Sequence, residues 1–382
     1  MTQNIIIVGA GFSGAVIARE LANAGHRVTI CDARDDVGGN CHTARDTQTG
    51  VMIHSYGPHI FHTADHEIWK YVSQFATMKP YRHSVRTTVQ SSVYSLPINL
   101  QTINQFFGKT FNSDEARAFI ASQREPIARP QNFEQAALAS VGRPLYEAFF
   151  RGYTVKQWGC DPTEIPAAVF ARLPVRFNYD DTYFDHPLCG IPENGYTALI
   201  QNILDHSHID LRLNTTCTAE DLSAYDHCFW TGTIDSYFNF AHGRLGYRTL
   251  DFELTRKSGD WQGCAVMNYG DVSVPHTRVT EHKHLAPWEH HKDTVISIET
   301  SKDCGPSDIP YYPTRKLSER EQLKSYVSLA KDTPNVTFAG RLGTYRYLDM
   351  DTCIRATIDT AAAYCDAVSA GTPPPTFATN PL

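Results

Sequence analysis

The chain has 382 residues, 42% hydrophobic and 20% charged, a balance that suits a globular protein of two or three domains. Lys plus Arg total 34 against 41 Asp plus Glu, a formal charge of −7, so no nucleic-acid partner is expected and an anionic ligand must be held by a few placed arginines. No run reaches the ~20 apolar residues of a membrane helix, and the first residues lack a signal-peptide pattern, so no membrane association and a cytoplasmic location are expected.

In chain order, Asn4–Val8 is a continuous apolar run of the kind that forms a buried parallel strand. Apolar positions from Phe12 to Ala24 recur at helical spacing and stop at Gly25, and Arg27–Asp32 reads as a second strand. Residues 100–152 read as a mainly helical insertion. Ser113-Asp114-Glu115 starts one helix, and 132–150 is helical in pattern despite Pro144. Aromatic and β-branched residues at 164–190 and 246–300 predict strands of a separate antiparallel sheet. Asn335–Ala339 is a short strand closed by Gly340, a helix follows from about Asp349 to Ala370, and the tail from Gly371 is expected to be disordered or draped on the surface.

Ten cysteines without C-x-x-C spacing read as reduced thiols, mostly buried. Glu281-His282-Lys283-His284 and Glu289-His290-His291 are rich in possible ligands but match no metal motif, and no metal is expected.

The chemistry starts at Gly9-Ala10-Gly11-Phe12-Ser13-Gly14, a G-x-G-x-x-G sequence between strand and helix. Such glycines let the backbone approach a pyrophosphate at the helix N-terminus, and Asp32, ending the second strand, is positioned for the adenosine ribose. Asp32 is followed after five residues by Gly38-Gly39-Asn40. This extended fingerprint resembles that of the glutathione-reductase-like FAD superfamily, in the branch containing amine oxidases, and implies FAD rather than NAD. Ala33 lies within the same stretch. In that superfamily the C-terminal strand–loop–helix returns to the flavin, which implicates Arg341, Leu348, Asp349, Met350, Asp351, Thr352 and Cys353; a helix N-terminus there would stabilise an anionic reduced flavin.

The blocks YGPHIFHT (from Tyr56), RGYTVKQWG (from Arg151), LPVRF (from Leu173) and RLGTYRY (from Arg341) follow in order over nearly the whole chain. Together they resemble the bacterial UDP-galactopyranose mutase family. The resemblance implies an α/β fold: a discontinuous Rossmann-like FAD-binding domain (1–80, about 190–240 and about 335–382), a helical domain (about 100–162) and an antiparallel-sheet domain (about 81–99, 163–189 and 241–334). It implies interconversion of UDP-galactopyranose and UDP-galactofuranose without net redox change, with N5 of reduced FAD as nucleophile at the anomeric carbon.

By the same resemblance Arg176 and Arg278 clamp the diphosphate, and Tyr183, Tyr312 and Tyr347 donate hydroxyls to it. Phe149, Phe150, Tyr153, Thr154, Gln157 and Trp158 recognise the uracil, although Phe149 or Phe150 would serve equally well in the core of an amphipathic helix. His59 and Ile60 lie against the flavin, and His83 and Asn268 are sugar contacts. The chain departs from the best-known members by having His rather than Asn at His83, and by Leu348 after Tyr347. NAD(P)H as reductant and a homodimer are further expectations. A mutase for another nucleotide sugar and an amine-oxidase-like flavoprotein are the alternatives.

Overall fold

The computed structural model describes residues 2–172, 174–217 and 219–382. Five strands form a wholly parallel sheet in the order Ile209–Arg212, Arg27–Cys31, Asn4–Val8, His227–Trp230, Val336–Phe338. Ile5, Ile7, Ile30 and Phe229 are completely buried in it, as expected where helices cover both faces. The helices Phe12–Asn23, Gly195–Leu204 and Met350–Ala370 pack around this core.

The tail is not loose. Phe338 donates its N–H to Thr376 O (2.8 Å) and accepts from Ala378 N–H (2.9 Å), so the tail covers the outer edge of Val336–Phe338. An exposed strand edge is a liability, and this contact removes it.

A second sheet of seven strands runs Tyr312–Pro313, Tyr247–Ser258, Asp293–Asp303, Arg278–Glu281, Val266–Tyr269, Val85–Val89, Ser92–Leu96. Every pairing is antiparallel except that of Val266–Tyr269 with Val85–Val89. Among the described residues of 164–190, where strands were expected, only the end forms one: Leu188–Pro192 pairs with Phe61–Thr63 and Met78–Pro80 in a small separate sheet. Before it come 3-10 turns at Pro162–Glu164 and Ala167–Arg172 and an irregular segment. Pro166, Pro174 and Pro187 remove ladder donors there. Phe170, whose aromatic character suggested a strand, instead buries its ring against Phe133 and Phe150.

The helical block contains Leu100–Phe107, Ser113–Gln123, Phe133–Val141 and Gly152–Trp158. The cap of the second is Asn112, one residue before the expected start, closed by Glu115 in a capping box. The stretch 132–150 is not one helix. It breaks at Gly142 (φ +77°), and Pro144 falls in the first turn of the next helical segment, where its missing N–H costs nothing. Among the described residues no helix is long and apolar enough to cross a membrane.

A Cβ at Gly142 would overlap the Gln123 carbonyl in a left-handed conformation. Gly142→Ala is therefore expected to cost about 1–3 kcal/mol of unfolding free energy, measured by urea denaturation. A loss below ~0.5 kcal/mol would contradict this account.

Candidate functional site

The turn after Asn4–Val8 is shaped by its glycines. Gly9 has φ +106° and donates its N–H to Cys31 O (2.7 Å). A Cβ on Gly14 would overlap the Gly9 carbonyl, so this helix can approach its strand only with glycine there. Gly11 is the N-cap of Phe12–Asn23 and supplies no side-chain cap, leaving the first amides for an acceptor. Gly38 (φ +110°) and Gly39 (φ +53°) bring the second loop against it: Gly38 N–H donates to Ala10 O at 2.9 Å.

Asp32 accepts from the N–H groups of Ala10 (2.7 Å) and Arg34 (2.9 Å), which leaves lone pairs for hydroxyl donors. Beside it Arg34 bonds Asn40 Oδ1 (2.8 Å) and covers the Tyr56 ring, and its Nη1 is buried without a partner. Ala33 is exposed. Phe12 and Ile60 are buried and pack in the parallel-sheet core.

The C-terminal helix enters the same place. Its N-cap, Asp349, makes no side-chain cap to that helix, and Ser13 Oγ lies 2.8 Å from Cys353 Sγ, joining the two helix N-termini. Met350 packs against the parallel-sheet core, while Thr352 is exposed and its N–H is held by Asp351 Oδ1 at 2.7 Å. Arg341 donates to the carbonyl of the buried Leu348 (2.7 Å) and lies over the Tyr347 and Tyr312 rings, which stack on each other at 5.5 Å.

The glycine cradle, the free helix amides, Asp32 and the orphaned Arg34 Nη1 fit a flavin dinucleotide. Each offers what a pyrophosphate, ribose or adenosine end needs.

The second part of the site is a row of side chains across the large sheet. Register places Glu299 opposite Arg278, and Arg278 opposite Asn268. Arg278 bonds Glu299 Oε2 through Nε (3.0 Å) and Nη2 (2.6 Å). Burial works against the Arg278 charge, but the Glu299 carboxylate and nearby Tyr153 and Tyr312 hydroxyls hold the guanidinium above its usual range. Glu299 Oε1 and Asn268 Oδ1 are buried without partners. So is Nδ1 of His83, whose ring stacks near Phe184 at 5.6 Å and meets Tyr183 edge-on at 5.5 Å. Burial, with Arg278 nearby, lowers the His83 pKa to about 3.

His59 is pushed down to about 4 by burial and then by Arg341. It is therefore neutral at pH 7, and its Nδ1 lies 2.8 Å from Gly57 O. Nδ1 must carry the proton to make that bond, so Nε2 is an acceptor. The His59 N–H in turn donates to His54 Nδ1 (3.1 Å), and His54 N–H to His282 Nδ1 (3.3 Å).

Not every expected residue joins this group. Arg176 turns into its own loop, bonding the Thr182 carbonyl and the Asp185 carboxylate, with Asp180 at 3.5 Å. Leu173, at the start of that block, lies outside the described residues. Phe149 and Phe150 are spent in the helical core, Phe149 against Tyr94 and Phe106 and Phe150 against Phe170. Thr154 is also buried, and Trp158 packs on the same core. Tyr153 is close enough to Arg278 and Glu299 to feel both charges, and Gln157 Oε1 is buried without a partner.

Glu299 was missed by sequence reasoning. Its signal was an acid at position 299 inside the run DTVISIET, otherwise suited to a buried strand. Among the described residues one group has metal-like geometry, Asp260, Glu281 and His284, with ligand atoms within 4.8 Å. The Lys283 ammonium already pairs with Asp260 at 2.6 Å, and Glu281 accepts the N–H groups of Trp261 and Gln262.

Fold and site thus define a flavin-type dinucleotide-binding protein with a second, arginine-centred polar site. The family model described as UDP-galactopyranose mutase matches residues 148–347, and an NAD(P)-binding Rossmann-like model matches residues 7–75. A probable UDP-galactopyranose mutase of Klebsiella pneumoniae is 54% identical over 96% of this chain and 96% of its own. A dTDP-fucopyranose mutase of Escherichia coli is 49% identical over 95% and 98%. A crystal structure of reduced UDP-galactopyranose mutase superposes with TM-score 0.78 over 99% of both chains at 15% identity, a likeness of fold. The chain belongs to the UDP-galactopyranose mutase family, whose members are FAD-dependent isomerases.

His54, His59, His83, His227 and His282 are all held below their usual pKa by burial. The unfolded chain binds their protons from about pH 6.5 downward while the folded chain resists to about pH 4, so stability should fall with pH through that window. The expected slope is roughly 1 kcal/mol per pH unit for each histidine, measured by urea denaturation between pH 7 and 5. A flat profile would show that these rings are not neutral in the folded state.

Proposed function

We propose that the protein interconverts UDP-galactopyranose and UDP-galactofuranose. The observation that carries this reading is the Glu299–Arg278–Asn268 row with its unpartnered polar atoms, electrostatically coupled to His59 and Arg341 at the dinucleotide cradle. The parallel-sheet unit would hold FAD, and the antiparallel sheet with helix Gly152–Trp158 would hold the nucleotide sugar. When bound and reduced, FAD supplies a nucleophile for the anomeric carbon and no net redox change results. The reading takes NAD(P)H as the reductant and the cytoplasm as the setting.

The chain's own residues bind, orient and balance charge. Gly9, Gly11, Gly14 and the amides of Phe12 and Ser13 would receive the pyrophosphate, and Asp32 the ribose. Arg341 and the helix N-terminus at Met350–Cys353 favour a negative reduced cofactor. Arg278 meets the sugar diphosphate as a fixed fork. Tyr183, Tyr312 and Tyr347 donate to the same oxygens, while Tyr153 and Gln157 face the base. His59 offers Nε2 as an acceptor, and His83 and Asn268 would meet sugar hydroxyls.

Charge requires one further group. Arg278 and Arg341 against Glu299 leave a single positive charge facing a dianionic diphosphate. Arg176 supplies the second if it exchanges the exposed Asp185 carboxylate for the diphosphate. Its loop would then close over the ligand.

The direct test is dithionite-reduced protein with UDP-galactofuranose, followed by chromatography; absence of pyranose product would end the reading. Arg278→Lys is the informative variant, because Arg278→Ala would strand the buried Glu299. Lysine keeps the charge but loses the fork, so kcat/KM should fall roughly 10- to 100-fold with full FAD content. Wild-type kcat/KM in that variant would remove Arg278 from the diphosphate site.

A further inference from the structure

Lys156 lies on helix Gly152–Trp158, one residue before Gln157 and three after Tyr153. Its ammonium does not face the site. It enters the turn joining Val266–Tyr269 to Arg278–Glu281, where its three N–H groups are shared, one of them bifurcated, among four main-chain carbonyls: Tyr269 O (2.6 Å), Asp271 O (2.8 Å), Val274 O (2.9 Å) and His276 O (2.9 Å). That turn connects the strand of Asn268 to the strand of Arg278.

The contact is close on both sides. A Cβ on Gly152 would overlap the Gly270 carbonyl, so helix and turn touch backbone to backbone. At the other end of the helix, Arg248 Nε donates to Gln157 O (3.0 Å) and Ser301 Oγ to the same carbonyl (2.7 Å). Ser301 lies two residues after Glu299 on one strand, hence on the same face of the sheet. Gly159 ends the helix in the left-handed conformation (φ +65°), and a Cβ there would overlap the Arg248 guanidinium, so helix end and sheet also meet closely.

We infer that Lys156 is a positioning residue for the nucleotide sugar, fixing the spacing between the helix that presents Tyr153 and Gln157 and the hairpin that presents Asn268 and Arg278. This rests on the substrate reading above. A ligand that touches only the helix end does not need that spacing; a nucleoside diphosphate, which spans both, does. Four convergent carbonyls suit a compact ammonium with rotatable donors better than a planar guanidinium or an amide. Misplacing such parts by about 1 Å costs up to ~100-fold.

The test compares uridine and UDP on wild type and Lys156→Met, by ligand-observed NMR and titration calorimetry. UDP affinity, and KM in the reduced enzyme, should weaken tenfold or more, while uridine affinity and FAD content stay at wild-type values. Unchanged UDP affinity overturns the inference, and so does an equal loss for both ligands, which would mean general damage. Should Lys156→Met fail to fold, Ser301→Ala decides: severalfold weaker UDP with unchanged uridine supports the clamp, and no change overturns it. Wild-type protein that binds neither ligand overturns the substrate reading itself and the clamp with it; wild type that binds UDP as tightly as its Lys156→Met variant overturns the clamp alone.

Discussion

Register across the large sheet is the constraint on which the second half of the site depends. Glu299, Arg278 and Asn268 oppose one another on three neighbouring strands, so their side chains leave one face at the inter-strand spacing of about 4.8 Å. A slip of one residue in either pairing would turn one of them to the other face. The pair enforces its own register. Glu299 is 1% exposed, and a carboxylate buried without a partner costs several kcal/mol. Pairings that separate it from Arg278 are therefore penalised by more than a single ladder hydrogen bond, typically ~1 kcal/mol. The acid does not strengthen anion binding; it lowers the local positive charge. It directs the guanidinium before a ligand arrives, and preorganisation of that kind is what electrostatic stabilisation of a leaving group requires.

The dinucleotide cradle is organised by backbone rather than by charge. Two helices, Phe12–Asn23 and Met350–Ala370, start at the same place from distant parts of the chain, and Ser13 and Cys353 touch where they meet. Neither N-cap uses a side chain to close its own helix, which leaves orphan amides where an anion would sit. His59, His54 and His282 are linked by hydrogen bonds to Ser297 of the large sheet, and burial holds all three below their usual pKa, so they orient one another without adding charge. The tail is used structurally as well, closing the sheet edge at Phe338.

How much of this was legible in the sequence depended on how local the physics is. The glycine turn was readable because φ values and close approach are set by residues within one loop: Gly9, Gly14 and Gly38 each have a backbone reason to be glycine. Arg278 was readable as a charged residue within a matched block, but Glu299 was not, because what makes it matter is a cross-strand register joining positions 21 residues apart. Phe149 and Phe150 were ambiguous for the same reason: helical periodicity does not say which side the core lies on, and Tyr94, Phe106 and Phe170 decide it. The segment 164–190 misled because aromatic and β-branched residues fit a strand only where partners line up: Ile165 and Phe170 bury against the helical core, while Tyr179 stays exposed. Lys156 drew no notice, since its four acceptors are carbonyls and carry no sequence signal.

The choice of sugar turns on polar rather than apolar contacts. The two close relatives act, by name, on different nucleotides and different sugars, and 54% against 49% identity does not separate them. A thymine methyl in place of a uracil hydrogen is worth only ~1–3 kcal/mol in an apolar pocket, so the base side gives modest discrimination. A sugar hydroxyl differs in kind. A site built to bond it leaves buried polar groups unpaired when a deoxy sugar enters, and discrimination then reaches 10⁴ or more. His83, Asn268 and Glu299 each hold such an unpaired atom beside Arg278. Three buried groups left unsatisfied carry a cost that polar groups of a ligand meeting them would relieve. His83 brings an imidazole whose pKa burial holds well below its usual value.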